Sequence, residues 1–309
     1  MQLVYWASVT LLFAPAVAGQ RLSEPIRSAD RPSLQGLSSK WSGGALIAWR
    51  TATSASERGQ NLFLYDADGA RRGYRLEIPD AAMVHIWDVA ASPSTLAVAA
   101  QAIDASGTVA GLFALISRQS QSTTITQTSP FEPQRITIRA DSTIWVLGYQ
   151  LGEGRRVKAA PRHSILKQYT PEGRLIGEHL QWPGMACGLH PAIDHGEGNP
   201  ALLALPGGVG LMLPACNEWL ELDSAGNLAR KVVWRYPGTA DTLIFTVATG
   251  TGVFGYMDAH LFQLGLDTGR WDPVLQPDSV PAAAVPLGND GNALVYESSG
   301  RIHWATVGP

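Results

Sequence analysis

Leu222-Asp223-Ser224-Ala225-Gly226, followed by the run from Leu228 to Trp234, reads as a strand, a tight turn and a second strand. Glycine supplies the positive φ that such a turn needs, and the aspartate side chain caps the turn's backbone. The same order recurs along the chain. Tyr65-Asp66-Ala67-Asp68-Gly69 precedes residues 74–78, Tyr169-Thr170-Pro171-Glu172-Gly173 precedes 175–180, and Leu266-Asp267-Thr268-Gly269 precedes 271–275. These glycines lie roughly 50 residues apart, or twice that where one unit intervenes, a period that suits a four-stranded repeat. Between the turns run short apolar or alternating stretches. Ala45-Leu46-Ile47-Ala48-Trp49, Asn61-Leu62-Phe63-Leu64-Tyr65 and Thr143-Ile144-Trp145-Val146-Leu147 are examples. Their length and their β-branched and aromatic content predict strands, not helices.

A single four-stranded unit cannot bury both of its faces, so several must stack in a ring. The expected fold is therefore all-β: a β-propeller of six four-stranded blades, with seven blades as the alternative. Calling the strands A to D from the axis outward, the units fall at 34–79, 84–127, 135–182, 201–236, 242–276 and 283–306. The second lacks a turn glycine at its third strand, 112–116. The last shows three clear strands, at 283–285, 292–296 and 301–306. Residues 21–27 are the candidate for its missing outer strand, which would close the ring and remove an exposed edge. These units resemble the broad six-bladed propeller superfamily that includes NHL-type and TolB-like domains. Asp141-Ser142-Thr143-Ile144-Trp145-Val146 is similar to the inner-strand turns of such repeats, where a short acidic turn precedes an Ile-Trp pair. The resemblance spans nearly all of the mature chain and implies an architecture, not a specific activity.

The chain has 309 residues and a formal net charge of −3, which leaves no electrostatic footprint for nucleic acid. Residues 1–19 carry no charged side chain and end in Ala16-Val17-Ala18-Gly19. This predicts a signal peptide over 1–18, cleaved before Gly19, and a single propeller domain over 19–309. A retained anchor is the rival, but the apolar stretch is short and broken by Pro15. No later segment is expected to span a membrane, so the predicted location is secreted or periplasmic.

In a propeller the D-to-A and B-to-C connections share one face and the hairpins occupy the other. The longer connections, at 51–60, 102–110, 150–163 and 183–200, are all expected on the first face. Elaborated loops on a rigid scaffold are where binding tends to reside. Cys187 lies in the last of these and Cys216 ends the second strand of blade four, on the same face. An exported chain with two cysteines predicts one disulfide, Cys187–Cys216, contributing about 3–4 kcal/mol in the chain-entropy account. On this face Arg155, Arg156, Lys158 and Arg162, next to His163, suit an anionic group, and Trp182 suits stacking on a ligand. His190 and His195 accompany Asp194 and Glu197 without any spaced zinc frame.

Glu132, Asn199 and Asp241 precede the inner strands of blades three, four and five, and His85 opens that of blade two. If these oxygens point into the axial channel they could hold Ca²⁺, as in the calcium-dependent lactonases that share this architecture, where the metal would polarise an ester carbonyl and activate water. Asp66-Ala67-Asp68-Gly69 lacks the remaining acids of a calcium loop and reads as a hairpin. Gly250-Thr251-Gly252-Val253-Phe254-Gly255 matches a dinucleotide fingerprint but falls between two strands and opens no helix. No nucleophile elbow or P-loop occurs, so no catalytic residue and no organic cofactor is nominated. Three functions stay open. The first is an exported, non-catalytic binding or scaffolding module for a protein or glycan, which predicts a groove without converging acids. The second is a calcium-assisted hydrolase at the channel mouth, which predicts converging oxygen ligands. The third is a sensor or structural module working beside another chain, which predicts a large exposed apolar patch.

Overall fold

The computed structural model describes residues 22–30, 34, 36–66, 70–150, 163–181, 200–237, 245–249, 252–257, 260–274, 285–290 and 293–307. The first described strand is β1 (Leu22–Asp30). Blade one is β2 (Ser38–Ser42), β3 (Ala45–Trp49), then, after the short β4 (Ala52–Ser54), β5 (Leu62–Tyr65) and β6 (Arg71–Tyr74). Blade two is β7 (Met83–Ala91), β8 (Thr95–Ile103), β9 (Val109–Ser117) and β10 (Thr123–Gln127). Blade three is β11 (Phe131–Ile138), β12 (Ile144–Gln150), β13 (Ser164–Tyr169) and β14 (Leu175–Gln181). Blade four is β15 (Ala201–Leu205), β16 (Gly208–Leu213), β17 (Glu218–Asp223) and β18 (Leu228–Val233). Blade five is β19 (Phe245–Thr249), β20 (Gly252–Met257), β21 (His260–Gly265) and β22 (Arg270–Pro273). Blade six is β23 (Val285–Asp290), β24 (Ala293–Ser298) and β25 (Arg301–Val307), with β1 as its outer strand, antiparallel to β25 from Leu22↔Val307 to Asp30↔Arg301. The chain is a six-bladed β-propeller, and its first strand closes the ring.

The turns form for the reasons their residues suggest. Asp223 Oδ1 accepts the Ala225 and Asn227 N–H groups, both at 2.9 Å, and Gly226 takes φ +85°. At Asp141 the carboxylate accepts the Thr143 N–H at 3.0 Å and its hydroxyl at 2.6 Å, while Ser142 turns at φ +65°. Asp66 adds a second role, since it pairs with Arg118 at 3.1 Å and joins the hairpins of blades one and two.

The core is divided among the gaps between blades. In β3, Ala45, Ile47 and Trp49 pack toward blade two while Leu46 and Ala48 pack toward blade six. In β12, Ile144 and Val146 face blade two while Trp145 and Leu147 face blade four. A strand covered on both sides needs no polar alternation, which is why the inner strands read as continuous apolar runs. Among the described residues each of the six gaps holds one apolar cluster. Trp41 and Trp304 fill the gap between blades six and one, Trp145 that between three and four, and Trp219, Trp234 and Trp271 that between four and five.

Three expectations are corrected. Residues 102–110 form no long loop: β8 and β9 stay paired to Ile103↔Val109, because the Asp104 carboxylate gathers the Ser106 and Thr108 N–H groups into a tight turn. The 51–60 connection is not free either, since β4 leaves blade one and pairs with the inner strand of blade two (Ala52↔His85 to Ser54↔Met83). The inner strand of blade six runs past the expected end at 285: its described part spans Val285–Asp290 and carries a bulge before Gly288. As expected, Gly252 to Gly255 lie in a strand paired on both sides, with no helix behind them. Among the described residues no helix is long and apolar enough to cross a membrane. The expected signal segment, residues 1–18, lies outside the described residues.

Candidate functional site

The connection face carries the D-to-A and B-to-C segments, and between blades one and two it is open. After β6 the chain runs through residues 75–82 to β7. Buried Asn61 clamps the start of this segment: its side-chain amide donates to Leu76 O at 3.1 Å and its Oδ1 accepts the Leu76 N–H at 2.9 Å. Ile78-Pro79-Asp80-Ala81 then makes a β-turn, closed by Ala81 N–H to Ile78 O at 3.3 Å, with Asp80 in the left-handed region at φ +63°. Proline suits the second turn position and an aspartate tolerates the third. This turn separates two pockets, of 510 Å³ on the β4 side and 480 Å³ over the upper parts of β8 and β9. A third pocket, of 530 Å³, lies on the side of blade one that faces blade six, where the Arg71 guanidinium sits 4.4 Å over the Phe63 ring.

Near the axis lies a buried charged group that the sequence reading did not single out. Asp88, only 4% exposed, accepts Lys40 Nζ at 3.1 Å on both oxygens and the Ile136 N–H at 3.0 Å. One carboxylate thus ties the inner strands of blades one, two and three. A bulge at Trp87 re-aims Asp88 to reach both neighbours. Arg135 extends the chain of contacts, donating through Nε to Pro200 O at 2.9 Å beside blade four. Burial pushes the Arg135 guanidinium down from its ordinary value, and the charge of Asp88 opposes that shift. The signal for this cluster was a lone aspartate inside Val84-His85-Ile86-Trp87-Asp88-Val89, an otherwise apolar inner strand.

Glu132 does not face the axial channel. It is 1% exposed and sits between blades two and three, where Oε2 accepts the Gln101 side-chain amide at 2.8 Å. Oε1 is buried and has no hydrogen-bond partner among the described residues. Desolvation raises the Glu132 carboxyl above its ordinary range, against smaller opposing effects of Gln101 and the Gly111 backbone. Burial and then the Glu132 charge push the facing Tyr149 phenol up as well. The physical reason for the misplacement is strand parity: a one-residue change decides whether a side chain enters a gap between blades or the axis. His85 is half-buried under β4 and leans on Trp87, ring centres 4.1 Å apart. His163 is buried beside the start of β13 and is not on a solvated loop surface.

Arg155, Arg156, Lys158, Arg162, Trp182, Cys187, His190, His195, Asn199 and Asp241 lie outside the described residues. Cys216 ends the short 3-10 turn Pro214–Cys216 after β16. Among the described residues no group of three or more His, Cys, Asp or Glu side chains is placed to share a metal ion.

No protein-family profile matches this chain, and no curated protein is detectably similar to it in sequence. Solved structures of similar shape are propeller proteins. A streptogramin B lyase aligns over 92% of this chain and 98% of its own at 10% identity, with a TM-score of 0.48. A gluconolactonase from Xanthomonas campestris aligns over 94% and 95% at 9% identity, TM-score 0.47. The WD40 domain of Pan2 from Neurospora crassa aligns over 88% and 75% at 9% identity, TM-score 0.45. At these identities the likeness extends to the fold alone.

Proposed function

We propose that this protein is an exported, non-catalytic β-propeller that binds a protein or glycan partner through its connection face. The supporting observation is the pair of pockets on either side of Ile78-Pro79-Asp80-Ala81, whose combined lining offers an apolar floor and a polar rim. Pockets of about 300–1,000 Å³ with a few placed polar groups are the usual size for small-ligand sites, room enough for a sugar or for a few side chains of a partner. Cleavage before Gly19 would deliver the chain to a secreted or periplasmic location. There Cys187 and Cys216 are proposed to form a disulfide that pins the insertion after blade three. The described residues include no free cysteine, and Cys187 is the only other cysteine of the chain. Intact mass before and after reduction tests the bond, and an unchanged mass would remove it.

The binding reading is tested by presenting the protein from Gly19 onward to glycan and peptide arrays, together with an Ala81→Arg variant that fills the junction of the two pockets. Retention by the parent and loss by the variant supports it; equal retention places binding elsewhere. Thermal unfolding in millimolar Ca²⁺ and in EDTA tests the calcium-assisted hydrolase. A site held at a hundredfold excess over its dissociation constant would add roughly 2.7 kcal/mol of stability. Of the acids nominated for that reading, Glu132 already binds Gln101 inside a gap between blades.

A further inference from the structure

We infer that the trough between blades one and two receives an extended basic peptide segment anchored by an aliphatic side chain. This deepens the binding-module reading and rests on it. The floor of the 480 Å³ pocket is apolar, made by Ile78, Ala102, Ala110, Leu112 and Ile125. Ala102 and Leu112 belong to the buried core between blades one and two, while Ile78 and Ile125 pack on that core and stay only partly covered. The floor is therefore rigid, and its open apolar surface would be removed from water by an aliphatic side chain.

Among the described residues the rim has one sign of charge: Asp80 and Asp104 are the only charged residues of these that line this pocket. Asp104 uses Oδ1 for the Ser106 N–H, the Ser106 hydroxyl and the Thr108 N–H, and these bonds hold its carboxyl below the usual range. It is an anion at neutral pH. Across the turn, in the 510 Å³ pocket, Arg75 is already paired with Glu77, so its charge does not neutralise the rim. A single-sign rim over an apolar floor attracts a cation and repels an anion. Gln127 and Thr108 also line the pocket and offer amide and hydroxyl groups to a peptide backbone. The two pockets share Ile78, Pro79, Asp80, Ala81 and Ile125 along their border, which makes a trough suited to an extended chain. Among the described residues no aromatic side chain lines either pocket, so the described lining offers no flat apolar face on which a sugar ring would stack.

The test uses the protein from Gly19 onward and a synthetic array of short peptides in which lysine is exchanged for glutamate and leucine for alanine independently. The strongest binder is then titrated by fluorescence anisotropy. Peptides carrying both lysine and leucine are expected to bind, more weakly as salt rises. Asp80→Asn with Asp104→Asn removes the rim charge but keeps the turns, because asparagine tolerates the left-handed region and its Oδ1 accepts the same bonds. This double variant should weaken binding roughly tenfold, the sum of two rim ion pairs. Thr108→Lys, at an exposed rim position, should weaken it further. Binding that ignores peptide charge, or that survives both variants, overturns the inference. Binding of glycans alone, lost in Ala81→Arg, overturns the peptide occupant and leaves the binding-module reading intact. Binding of neither class overturns both.

Discussion

At Gly226 the backbone sits at φ +85°, and a Cβ there would meet the His179 ring. That ring stacks on Trp145 with centres 5.2 Å apart, so it has little room to withdraw. Gly226→Ala should therefore cost about 1–3 kcal/mol, from the left-handed backbone and the lost ring position together. Urea unfolding reads this directly, and an unchanged midpoint would show that the hairpin moves freely against blade three. The turn glycine was legible in Leu222-Asp223-Ser224-Ala225-Gly226; its histidine neighbour was not, because the two meet only where adjacent blades touch. Glu132 makes the complementary case. Its carboxyl is raised in the folded chain, so the fold holds that proton more tightly than the unfolded chain does. The stability this contributes is full below the ordinary value of 4.5 and is lost as pH rises through the folded value. Glu132→Gln should flatten that slope and raise stability at neutral pH by on the order of 1 kcal/mol. Urea midpoints across about pH 4 to 8 check it, and a steeper loss in the variant would mean that the charged form is the one the fold prefers.

Among the elements, β1 carries the ring closure. It pairs with β25 on the outside of blade six and shifts register between Ser23 and Arg27. Removing residues 22–30 leaves β25 with a bare edge, a template for pairing with another chain. The truncated protein should melt at lower temperature and self-associate, as sedimentation would show; a monomer of unchanged stability would make β1 dispensable. The candidate strand was legible at 21–27 because a blade was one strand short. The structure extends it to Asp30, since β25 runs far enough to pair that residue with Arg301. β4 was not legible. Its Ala52-Thr53-Ser54 is too short and too polar to signal a strand, and it exists because the inner edge of β7 offers unpaired backbone beside it. The turn at 104–108 could have been found: Asp104-Ala105-Ser106-Gly107-Thr108 has the acid-and-glycine order of the other hairpins, and Gly107 does take φ +83°.

Across the whole molecule, stability is shared between neighbours, because each apolar cluster belongs to two blades. The Asp88 carboxylate reinforces this where three inner strands converge. Asp88→Asn leaves Lys40 without its counter-charge. It should cost on the order of 2–3 kcal/mol, at or below the low end for a broken buried pair because Lys40 keeps some contact with water. The loss should appear as an earlier single unfolding transition, whereas a separate early phase would show that the first three blades unfold apart from the rest. The sequence by itself determined the all-β propeller class, most of the strands and their acid-and-glycine turns, and the fact that no blade could stand alone; the choice of six blades over seven came from the structure. The features it determined follow from local backbone preference and from the period of apolar residues, which are written along the chain. Only the tertiary structure decided that Glu132 enters a gap between blades, that Asp88 joins three of them, and that Asp80 and Asp104 share one rim. Each of these depends on strand parity and on packing between segments far apart in the chain, and neither leaves a periodic mark in the sequence.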